Sequence, residues 1–399
     1  MAKTARRDMP SLAGAPWLVE PRLQHILAVL SEGGGEARIA GGAIRNALLG
    51  VAVADVDIAT TLLPPEVMRR GAAAGFGVHP TGLDHGTVTL VCQHLPVEVT
   101  TLRRDVSTDG RRASVAFTTD WAEDAERRDF TINAMYCDAA GQITDYTNGC
   151  DDIRKRCVRF VGRPSRRIRE DYLRILRFFR FHAHYGRGPL QADGLAACRR
   201  LRKGITTLSA ERITQEMLKL LAAPKPWLAL KAMEEAGILR LVLPGLPDWR
   251  VIKRLPLDPL LRLFALNGQS ANVGGRFRLS NPQKARLQKL EEAPAITPEF
   301  RPNERHKMIY HLGAAAFADA VSLTWARSRA PLSAPEWQEL AELPRHWVPP
   351  TFPVNGKDLQ QAGLAAGPGL GRALRELEDW WIASDFAASR EDLLKHLET

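Results

Sequence analysis

The pattern of apolar residues changes near residue 151, and this change limits the possible folds more than any other feature of the chain. Before it, short helical stretches alternate with β-like runs, such as "ADVDIATT" at 54–61 and "GTVTLVCQHLPVEVTTL" at 86–102. After it, apolar residues recur at helical spacing and the β pattern fades. The sequence therefore predicts an α+β head with a mixed β-sheet and helices, followed by an all-α remainder.

Turn residues locate several elements within this outline. The run at 86–102 predicts a hairpin that turns near 94–96, and 133–146 predicts a second hairpin that turns at 140–141. The stretch "RIAGGAIRNALLG" at 38–50 predicts a strand, a Gly-Gly turn and a short helix. Longer helices are expected around 166–184, 190–202, 209–222, 226–237 and 257–267.

Size and charge limit the kind of molecule. At 399 residues the chain is expected to form more than one domain, because single hydrophobic cores rarely grow past roughly 250 residues. Its formal net charge of +10 and its isoelectric point of about 9.6 favour an acidic partner, most often nucleic acid. Free use of arginine would produce the same charge without such a partner.

Cysteine usage and hydropathy bear on location. The five cysteines show no CxxC spacing and are expected to be reduced thiols of a cytoplasmic protein. No run approaches about 18 apolar residues, so no membrane span is expected. The segment 1–21 lacks an apolar stretch and is expected to be a flexible N-terminal arm.

Two aspartates in "DVDIAT" are the leading candidates for catalysis. Asp55 and Asp57 alternate along a predicted strand, so both carboxylates would point to one face, about 7 Å apart. Two such acids repel each other and resist burial unless a cation joins them, and their oxygens suit Mg²⁺. A solvated strand face is the alternative. Glu98 has the spacing to reach the same face from a neighbouring strand.

A predicted phosphate-binding turn precedes this acidic pair. Gly41 and Gly42 would let the backbone approach a ligand closely, and the N-terminus of the following helix would offer free N–H groups to an anion. Arg45, in the first turn of that helix, would add a charged clamp on a phosphate. The sequence thus predicts phosphate binding just before a candidate metal pair.

The stretch "EDYLRILRFFR" at 170–180 predicts one continuous helix with an ordered charged face. An acid and three arginines recur there at steps of three: Asp171, Arg174, Arg177 and Arg180. Residues 151–180 hold ten arginines and one lysine against four acids, a net charge of +7. An acceptor and a donor one helical turn apart could read a nucleobase, or could form an ordinary salt bridge on a solvated helix.

These motifs occur in an order that resembles the class II tRNA nucleotidyltransferases. That family comprises the CCA-adding enzymes and the bacterial poly(A) polymerases. The resemblance covers about residues 36–220, and the last 150 or so residues add nothing to it. It rests on the blocks "GGAIRN", "DVDIATT", "HGTVTLV", "VEVTTLRRD", "DGRR", "RRDFTINAM", "REDYLRILRFFRF" and "LSAERITQE".

The resemblance implies a fold, a reaction and a set of partners. The 3′-hydroxyl of tRNA would attack the α-phosphate of CTP or ATP and release pyrophosphate, without a nucleic acid template. Two Mg²⁺ ions would assist, and tRNA would bind through its 3′ acceptor end and its elbow. No membrane and no obligate protein partner is implied. The implied parts are an arm at 1–21, a nucleotidyltransferase head at 22–150, a helical neck at 151–222, a body at 223–290 and a tRNA-binding tail at 291–399.

The resemblance also implies roles for single residues. Asp55 and Asp57 fall where the family binds Mg²⁺, with Glu98 as a supporting acid. The positions implied for the triphosphate and the ribose are Gly41, Gly42, Arg45, Arg128 and Asp129. The positions implied for the base-reading helix are Asp171, Arg174, Arg177 and Arg180. Asn46 departs from the family pattern, which usually has Asp after the Arg, so the resemblance implies no acidic supporting role at this position.

Selectivity for C and A would follow from one carboxylate and one guanidinium. Cytosine and adenine both present an exocyclic amine beside a ring acceptor, and Asp171 with Arg174 would pair with either edge. Uracil and guanine present the reverse pattern, which would cost about 1 kcal/mol or more per mismatch. Arg177 and Arg180 would reach the triphosphate or orient Asp171.

Three alternatives stay open. A poly(A) polymerase usually carries a basic "GRRF"-like element, whereas 75–88 here contain no arginine. An enzyme that adds only CC would have a shortened loop after the third strand of the head, whereas residues 102–117 look full length here. This argues against an enzyme that adds only CC and leaves an enzyme that adds only A as an alternative. A catalytically inactive tRNA-binding protein is disfavoured by the intact pair Asp55 and Asp57.

The segment "RRDVSTDGRRAS" at 103–114 is expected to be a mobile loop. It is polar and contains Asp109-Gly110, which would serve as a turn or hinge. The family resemblance links this loop to the addition of the terminal A.

Overall fold

The computed structural model describes residues 9–109, 112–243, 248–267 and 277–397, and describes the backbone alone at 105–109 and 112–115. The chain divides into two compact units, residues 1–247 and 248–399. A mixed β-sheet with helices forms the start of the first unit, and the chain is helical from there on. The predicted α+β head and all-α remainder are therefore confirmed.

The first unit contains a seven-stranded sheet and a separate two-stranded hairpin. The described strands are β1 (Ala37–Ala40), β2 (Asp57–Thr60), β3 (Gly77–Gly82), β4 (Thr87–Cys92), β5 (Leu95–Thr101), β6 (Arg103–Asp109), β7 (Arg112–Phe117), β8 (Met135–Cys137) and β9 (Ile143–Asp145). The sheet order is β3-β4-β5-β2-β1-β8-β9, and β6 pairs with β7. β2 and β5 run parallel while the other neighbours in the sheet run antiparallel, so the sheet is mixed as predicted.

Five helices accompany these strands in the described part of the head. They are α1 (Pro21–Ser31), α2 (Gly42–Leu48), α3 (Pro64–Ala73), α4 (Trp121–Glu126) and α5 (Gly149–Arg154). Leu23, Ile26, Leu27 and Leu30 are buried at helical spacing on α1, which packs against the sheet and α3. The core of the head thus lies between the sheet and the apolar faces of its helices.

The two predicted hairpins are present, and one turn differs from its predicted position. β4 and β5 are joined by Gln93 and His94, whose φ angles are 45° and 67°. A two-residue loop with positive φ at both positions matches the twist of the flanking strands, so Leu95 already belongs to the sheet. The β8–β9 hairpin turns across 138–142, with Gly141 at φ +88°, as predicted.

The flexible arm predicted over 1–21 is wrong for the described residues 9–20. The Leu12 amide donates to the Gly141 carbonyl at 2.8 Å, and the Leu18 side chain is buried. Gly141 makes this contact feasible, because a Cβ atom there would lie 2.2 Å from the Ala13 nitrogen. The segment is therefore packed on the β8–β9 hairpin.

The mobile loop predicted over 103–114 is instead an antiparallel hairpin, β6–β7. Its pairing runs from Arg103 with Phe117 to Asp109 with Arg112, and residues 110–111 lie outside the described residues. Val106, Thr108 and Val115 are β-branched residues, which favour extended strands over an irregular loop.

Six further helices complete the described part of the first unit. They are α6 (Pro164–Glu170), α7 (Leu173–Tyr185), α8 (Ala192–Leu201), α9 (Ala210–Leu221), α10 (Trp227–Glu235) and α11 (Leu239–Val242). The continuous helix predicted over 166–184 is interrupted at Asp171, whose φ is −157°. Its side chain accepts a hydrogen bond from the Leu173 amide at 3.0 Å, and this local bond replaces the helical one.

The described residues of the second unit form helices joined by turns and irregular segments, with no strand among them. Its helices are α12 (Pro259–Asn267), α13 (Asn281–Glu292), α14 (Pro302–Leu312), α15 (Ala314–Arg327), α16 (Pro335–His346), α17 (Gly356–Gln361), α18 (Pro368–Ala383) and α19 (Arg390–Leu397). Leu359, Leu377, Trp381 and Leu393 form part of its buried core. Within the described ranges of the chain, no helix is both long enough and apolar enough to cross a membrane.

Candidate active site

A cleft of about 450 Å³ in the first unit gathers most of the predicted site residues. This volume lies within the usual range for small-molecule sites, roughly 300–1,000 Å³. The predicted residues that line it are Gly41, Gly42, Arg45, Asp57, Arg128, Asp129, Asp171, Arg174 and Arg177. Asp55, Glu98 and Arg180 are not among its described lining residues.

Asp57 stands at the start of β2, between β1 and β5. In the sheet register it is paired with Ala40 on one side and with Glu98 on the other. Because β2 and β5 run parallel, Asp57 and Glu98 sit side by side on the same face. Asp55 precedes β2 rather than lying within it, because β1 ends at Ala40 and leaves no strand residue to pair beyond Asp57.

The charges around Asp57 favour a cation. Its side chain is exposed at the start of β2. Desolvation by the surrounding protein is the first cause that raises its pKa, and the negative charges of Glu98 and Asp55 raise the pKa further. The positive charge of Arg128 opposes this rise. In the described chain, no three His, Cys, Asp or Glu side chains are gathered closely enough to hold a metal alone. Mg²⁺ is commonly held by one or two carboxylates together with substrate phosphates, so Asp55 and Asp57 fit it by their chemistry.

The Gly-Gly turn forms as predicted between β1 and α2. Gly41 has a φ of +61°, and a Cβ atom there would lie 2.9 Å from the Asn133 carbonyl oxygen and 3.2 Å from Nη1 of Arg128. Only glycine fits this conformation and this space. The close approach puts the guanidinium of Arg128 directly against the turn, where α2 begins at Gly42.

Arg45 is buried beneath the turn, and Asn46 helps to hold it. The guanidinium donates to Oδ1 of Asn46 at 3.1 and 2.8 Å, donates to Oδ1 of Asn133, and stacks 4.1 Å from the Tyr185 ring centroid. Burial is the main cause that lowers the pKa of Arg45. The amide of Asn46 thus does the orienting that a carboxylate could do, while its own Nδ2 donates to the Ala52 carbonyl at 3.2 Å.

Asp129 and Arg177 form a paired group on the cleft wall. Nε and Nη2 of Arg177 donate to Oδ2 of Asp129 at 2.8 and 2.5 Å, while Oδ1 accepts from the Phe130 amide and from Nδ2 of Asn133. Burial alone would raise the pKa of Asp129, but Arg177 outweighs it and lowers this pKa to about 2. The carboxylate is therefore ionised at neutral pH and fixes the direction of Arg177.

Asp171 and Arg174 both line the cleft, but they do not pair with each other. Oδ2 of Asp171 accepts from Nη2 of Arg212 at 2.7 Å, and Nη1 of Arg174 donates to Oε2 of Glu170 at 2.6 Å. The expectation that both residues lie one turn apart in one helix is wrong, because Asp171 precedes α7. The alternative for this motif, an ordinary salt bridge between Asp171 and Arg174, is not formed by these described side chains either.

Arg180 has a different environment from the one predicted. Its Nε lies 2.8 Å from Oε2 of the buried Glu216 on α9, and its guanidinium lies 4.5 Å from the Phe181 ring centroid. Burial is the first cause that lowers its pKa. Arg180 therefore joins α7 to α9 instead of reaching the lining of the cleft.

Sequence reasoning missed several residues of this site. Arg212 and Asn133 line the cleft, and Glu216 supports it from behind. A signal was present for two of them, because Arg212 and Glu216 lie four residues apart in "LSAERITQE" and so share one face of a helix. Asn133 carries no such signal, since its role depends on where the 3₁₀ turn at Thr131–Asn133 directs its amide.

Two family models match the chain. Residues 37–159 match the model described as "Poly A polymerase head domain", which spans the sheet with the turn, the aspartates and Asp129. Residues 190–249 match the model described as "Probable RNA and SrmB- binding site of polymerase A".

Individual relatives extend the match over almost the whole chain. The CCA tRNA nucleotidyltransferase 1, mitochondrial, of Danio rerio is 36% identical over 385 residues, covering 91% of this chain and 87% of that protein. The CCA-adding enzyme of Latilactobacillus sakei is 30% identical, covering 93% and 96%. The crystal structure of the Bacillus stearothermophilus CCA-adding enzyme in complex with CTP has a TM-score of 0.78 at 31% identity, covering 94% and 96%. The chain therefore belongs to the family of the CCA-adding tRNA nucleotidyltransferases.

Proposed function

We propose that this chain adds C, C and A to the 3′ end of tRNA from CTP and ATP, releasing pyrophosphate and using no nucleic acid template. One observation carries the proposal: in a chain of this family, a single cleft brings together the Gly-Gly turn at Gly41, the acidic strand end at Asp57 and the carboxylate of Asp171, which Arg212 orients. The relatives named above support the proposal, since one is named a CCA tRNA nucleotidyltransferase, the other two are named CCA-adding enzymes, and one of these was crystallised with CTP.

The arginines of the cleft bind and orient the triphosphate. Arg128 lies against the Gly41 turn, Arg45 lies beneath it, and Arg177 is held by Asp129. Fixed guanidiniums of this kind stabilise the charge that develops on the reacting phosphates, and they need no rearrangement to do so.

Asp55 and Asp57 would hold Mg²⁺, with two ions expected. When bound there, Mg²⁺ would lower the pKa of the attacking 3′-hydroxyl and offset charge on the triphosphate and the departing pyrophosphate. Asp57 contributes a carboxylate at the start of β2, within the cleft that Arg128 also lines. Glu98 adds negative charge from the neighbouring strand, which strengthens the preference of this position for a cation.

Asp171 and Arg174 read the base. The carboxylate of Asp171 accepts the exocyclic amine of cytosine or adenine, and Arg174 donates to the ring acceptor once it turns from Glu170 toward the cleft. Arg212 supports base recognition because it fixes Oδ2 of Asp171 from α9.

The borders of head, neck, body and tail at 150, 222 and 290 belong to the same proposal, as does tRNA binding by the tail.

A cytoplasmic location is also part of the proposal. The five cysteines are all free, and four of them are buried, as suits a reducing compartment. Fractionation of cells that express the tagged chain would test this point.

The decisive experiment is nucleotide addition to three tRNAs that end in N, NC and NCC. Each of CTP, ATP, UTP and GTP is supplied alone and then together, and the products are sized. Full CCA addition to the first tRNA is expected. Addition of A alone, and only to the tRNA ending in NCC, would favour an A-adding enzyme, while long A tails would favour a poly(A) polymerase. No addition with intact tRNA binding would overturn the proposal.

A further inference from the structure

Asp124 is a buried carboxylate beside the cleft that the mechanism above does not use. It lies on α4, and its side chain is 1% exposed. A buried carboxylate is costly unless its oxygens are well paired. Its donors are the Arg103 amide at 3.3 Å, Nε of Arg127 at 2.7 Å, Nε and Nη2 of Arg128 at 3.2 and 3.0 Å, and the Tyr136 hydroxyl at 2.5 Å.

Arg127 and Arg128 are near neighbours of Asp124 in the chain, whereas the Arg103 amide and the Tyr136 hydroxyl come from 21 and 12 positions away. Arg103 is the first residue of the β6–β7 hairpin, so the carboxylate touches the base of that hairpin. Arg128 reaches from Asp124 into the cleft, where its Nη1 lies against Gly41 and donates to the Asn133 carbonyl at 3.4 Å. A short chain of contacts thus runs from the hairpin through Asp124 to the phosphate-binding turn.

The side chain of Arg128 is held on more than one side. Its Nε donates to the Tyr136 hydroxyl at 3.2 Å as well as to Asp124, and its guanidinium lies 5.1 Å from the Tyr136 ring centroid. A free arginine would lose considerable rotamer entropy on binding a phosphate, whereas a prefixed one loses little. The Asp124–Tyr136 pair therefore prepares Arg128 before any nucleotide arrives.

Asp124 keeps its charge under this arrangement. Burial would raise its pKa, but the charges of Arg128 and Arg127 and the hydrogen bond from Tyr136 outweigh burial and hold the pKa below its usual value. Asparagine has nearly the same shape and lacks the charge, so an Asn variant separates the two contributions.

We infer that Asp124 is a positioning residue that fixes Arg128 for the triphosphate and ties it to the base of the β6–β7 hairpin. The inference rests on the proposed function for the identity of the ligand. Asp124 has no contact with substrate in this role, and its loss is expected to lower nucleotide affinity more than it lowers kcat.

The test measures CTP and ATP affinity by calorimetry, and KM and kcat for single additions, in the full chain. D124N is expected to weaken binding and raise KM for both triphosphates about tenfold to hundredfold, as for a lost charge-assisted hydrogen bond, with kcat less affected. Y136F, which leaves no buried charge unpaired, should shift both quantities in the same direction by a smaller factor. E126Q, at an exposed position on the same helix, is the matched control and should stay within about twofold.

Two further outcomes decide between this role and a purely structural one. Unchanged affinities in folded D124N and Y136F, with a lower melting temperature alone, would overturn the inference. Combining D124N with deletion of residues 105–112 tests the tie to the hairpin. If the two changes act independently, the fold-changes of the single variants multiply in the combined variant, to within about twofold. Independent effects would overturn the tie. Weakened CTP binding in D124N, in a chain that adds no nucleotide to tRNA, would overturn the proposed function while supporting this inference.

Discussion

Arg212 on α9 donates a hydrogen bond from Nη2 to Oδ2 of Asp171, 2.7 Å away, at the break between α6 and α7. The other oxygen of Asp171 accepts from the Leu173 amide at 3.0 Å. Two donors from separate elements thus orient this carboxylate without help from a nucleotide. The base-reading group proposed above would therefore include α9, and Arg212 becomes a target for mutation together with Asp171 and Arg174.

Removing the base-reading groups should relax the choice of nucleotide. Asp171→Ala and Arg174→Ala are expected to reduce the preference for CTP over UTP about tenfold or more, because each removes one side of the donor–acceptor match. Arg212→Ala should have a smaller effect in the same direction, since it frees the carboxylate without removing it. Competition assays with all four triphosphates on a tRNA ending in N measure the preference.

The control for this series is Gln215→Ala, at an exposed position on α9. It should leave both the rate and the preference within about twofold of wild type. Equal loss of rate with all four triphosphates in Asp171→Ala and Arg174→Ala would contradict the base-reading role. The two residues would then be structural members of the α6–α7 break.

Asp55→Ala or Asp57→Ala should abolish nucleotide addition and leave tRNA binding intact. Each variant removes a carboxylate at or just before the start of β2, where Mg²⁺ would be held, and the expected rate is below about one thousandth of wild type. Single-turnover addition and a filter-binding assay measure the two properties. Asp84→Ala, an exposed head residue away from the cleft, serves as control. A rate within about tenfold of wild type would remove the mutated residue from the metal site.

The pH dependence of the reaction should report on Glu98. The negative charge of Glu98 helps to raise the pKa of Asp57, so Asp57 becomes fully ionised only at a higher pH than an ordinary aspartate. Since the ionised form is the one that binds a cation, activity should fall as the pH drops through this raised pKa. Glu98→Gln removes the charge, lowers the pKa of Asp57 and should move the acid limb of kcat/KM to lower pH.

The measurement is a profile of kcat/KM for CTP from about pH 4.5 to about pH 8, where Asp and Glu shifts are visible. Glu126→Gln should leave the profile unchanged. If Glu98 instead binds the metal directly, Glu98→Gln will lower the rate at every pH, and the acid limb will not move down. That result would replace the electrostatic role with a ligand role.

Local patterns explain why the fold and the Gly-Gly turn could be predicted. The alternation of buried and less buried residues along β4 is readable in "TVTLVC", and the Gly-Gly turn is readable because few other residues adopt its geometry. The strand alternation and the turn depend on the nearest few residues of the sequence. The pairing of Asp57 with Glu98, 41 positions apart, follows from strand period only if β2 and β5 are also neighbours in the sheet.

Other features of the site depend on partners far away along the chain. Asp129 pairs with Arg177, 48 positions on, and Asp171 pairs with Arg212, 41 positions on. No periodicity specifies which of many arginines approaches a given carboxylate, since that choice is made by helix packing. The break at Asp171 was missed for a different reason: its side chain captures a nearby amide, and apolar periodicity does not register such a bond.

The β6–β7 hairpin should be required for the terminal A and not for the two C additions. The family resemblance links this segment to A addition, and the structure joins its base to the nucleotide cleft through the Arg103 amide and Asp124. Deleting residues 105–112 is structurally mild, because Arg104 and Ala116 are paired across the hairpin. The three residues 113–115 that remain between them are enough to close a short turn.

Adenine is larger than cytosine, so the same base-reading groups must be placed differently for the two bases. Some segment therefore has to shift these groups after the second C has been added and before the terminal A is added. On this argument the deletion variant converts a tRNA ending in N to one ending in NCC at near wild-type yield, and then stops. Sizing of the products shows this directly, and a tRNA already ending in NCC, supplied with ATP alone, isolates the missing step. A folded deletion variant that completes CCA at near wild-type yield would contradict the role of the hairpin. The selection of A would then have to come from the fixed groups of the cleft, with Asp171, Arg174 and Arg212 as the first candidates, because they alone would contact or orient the base.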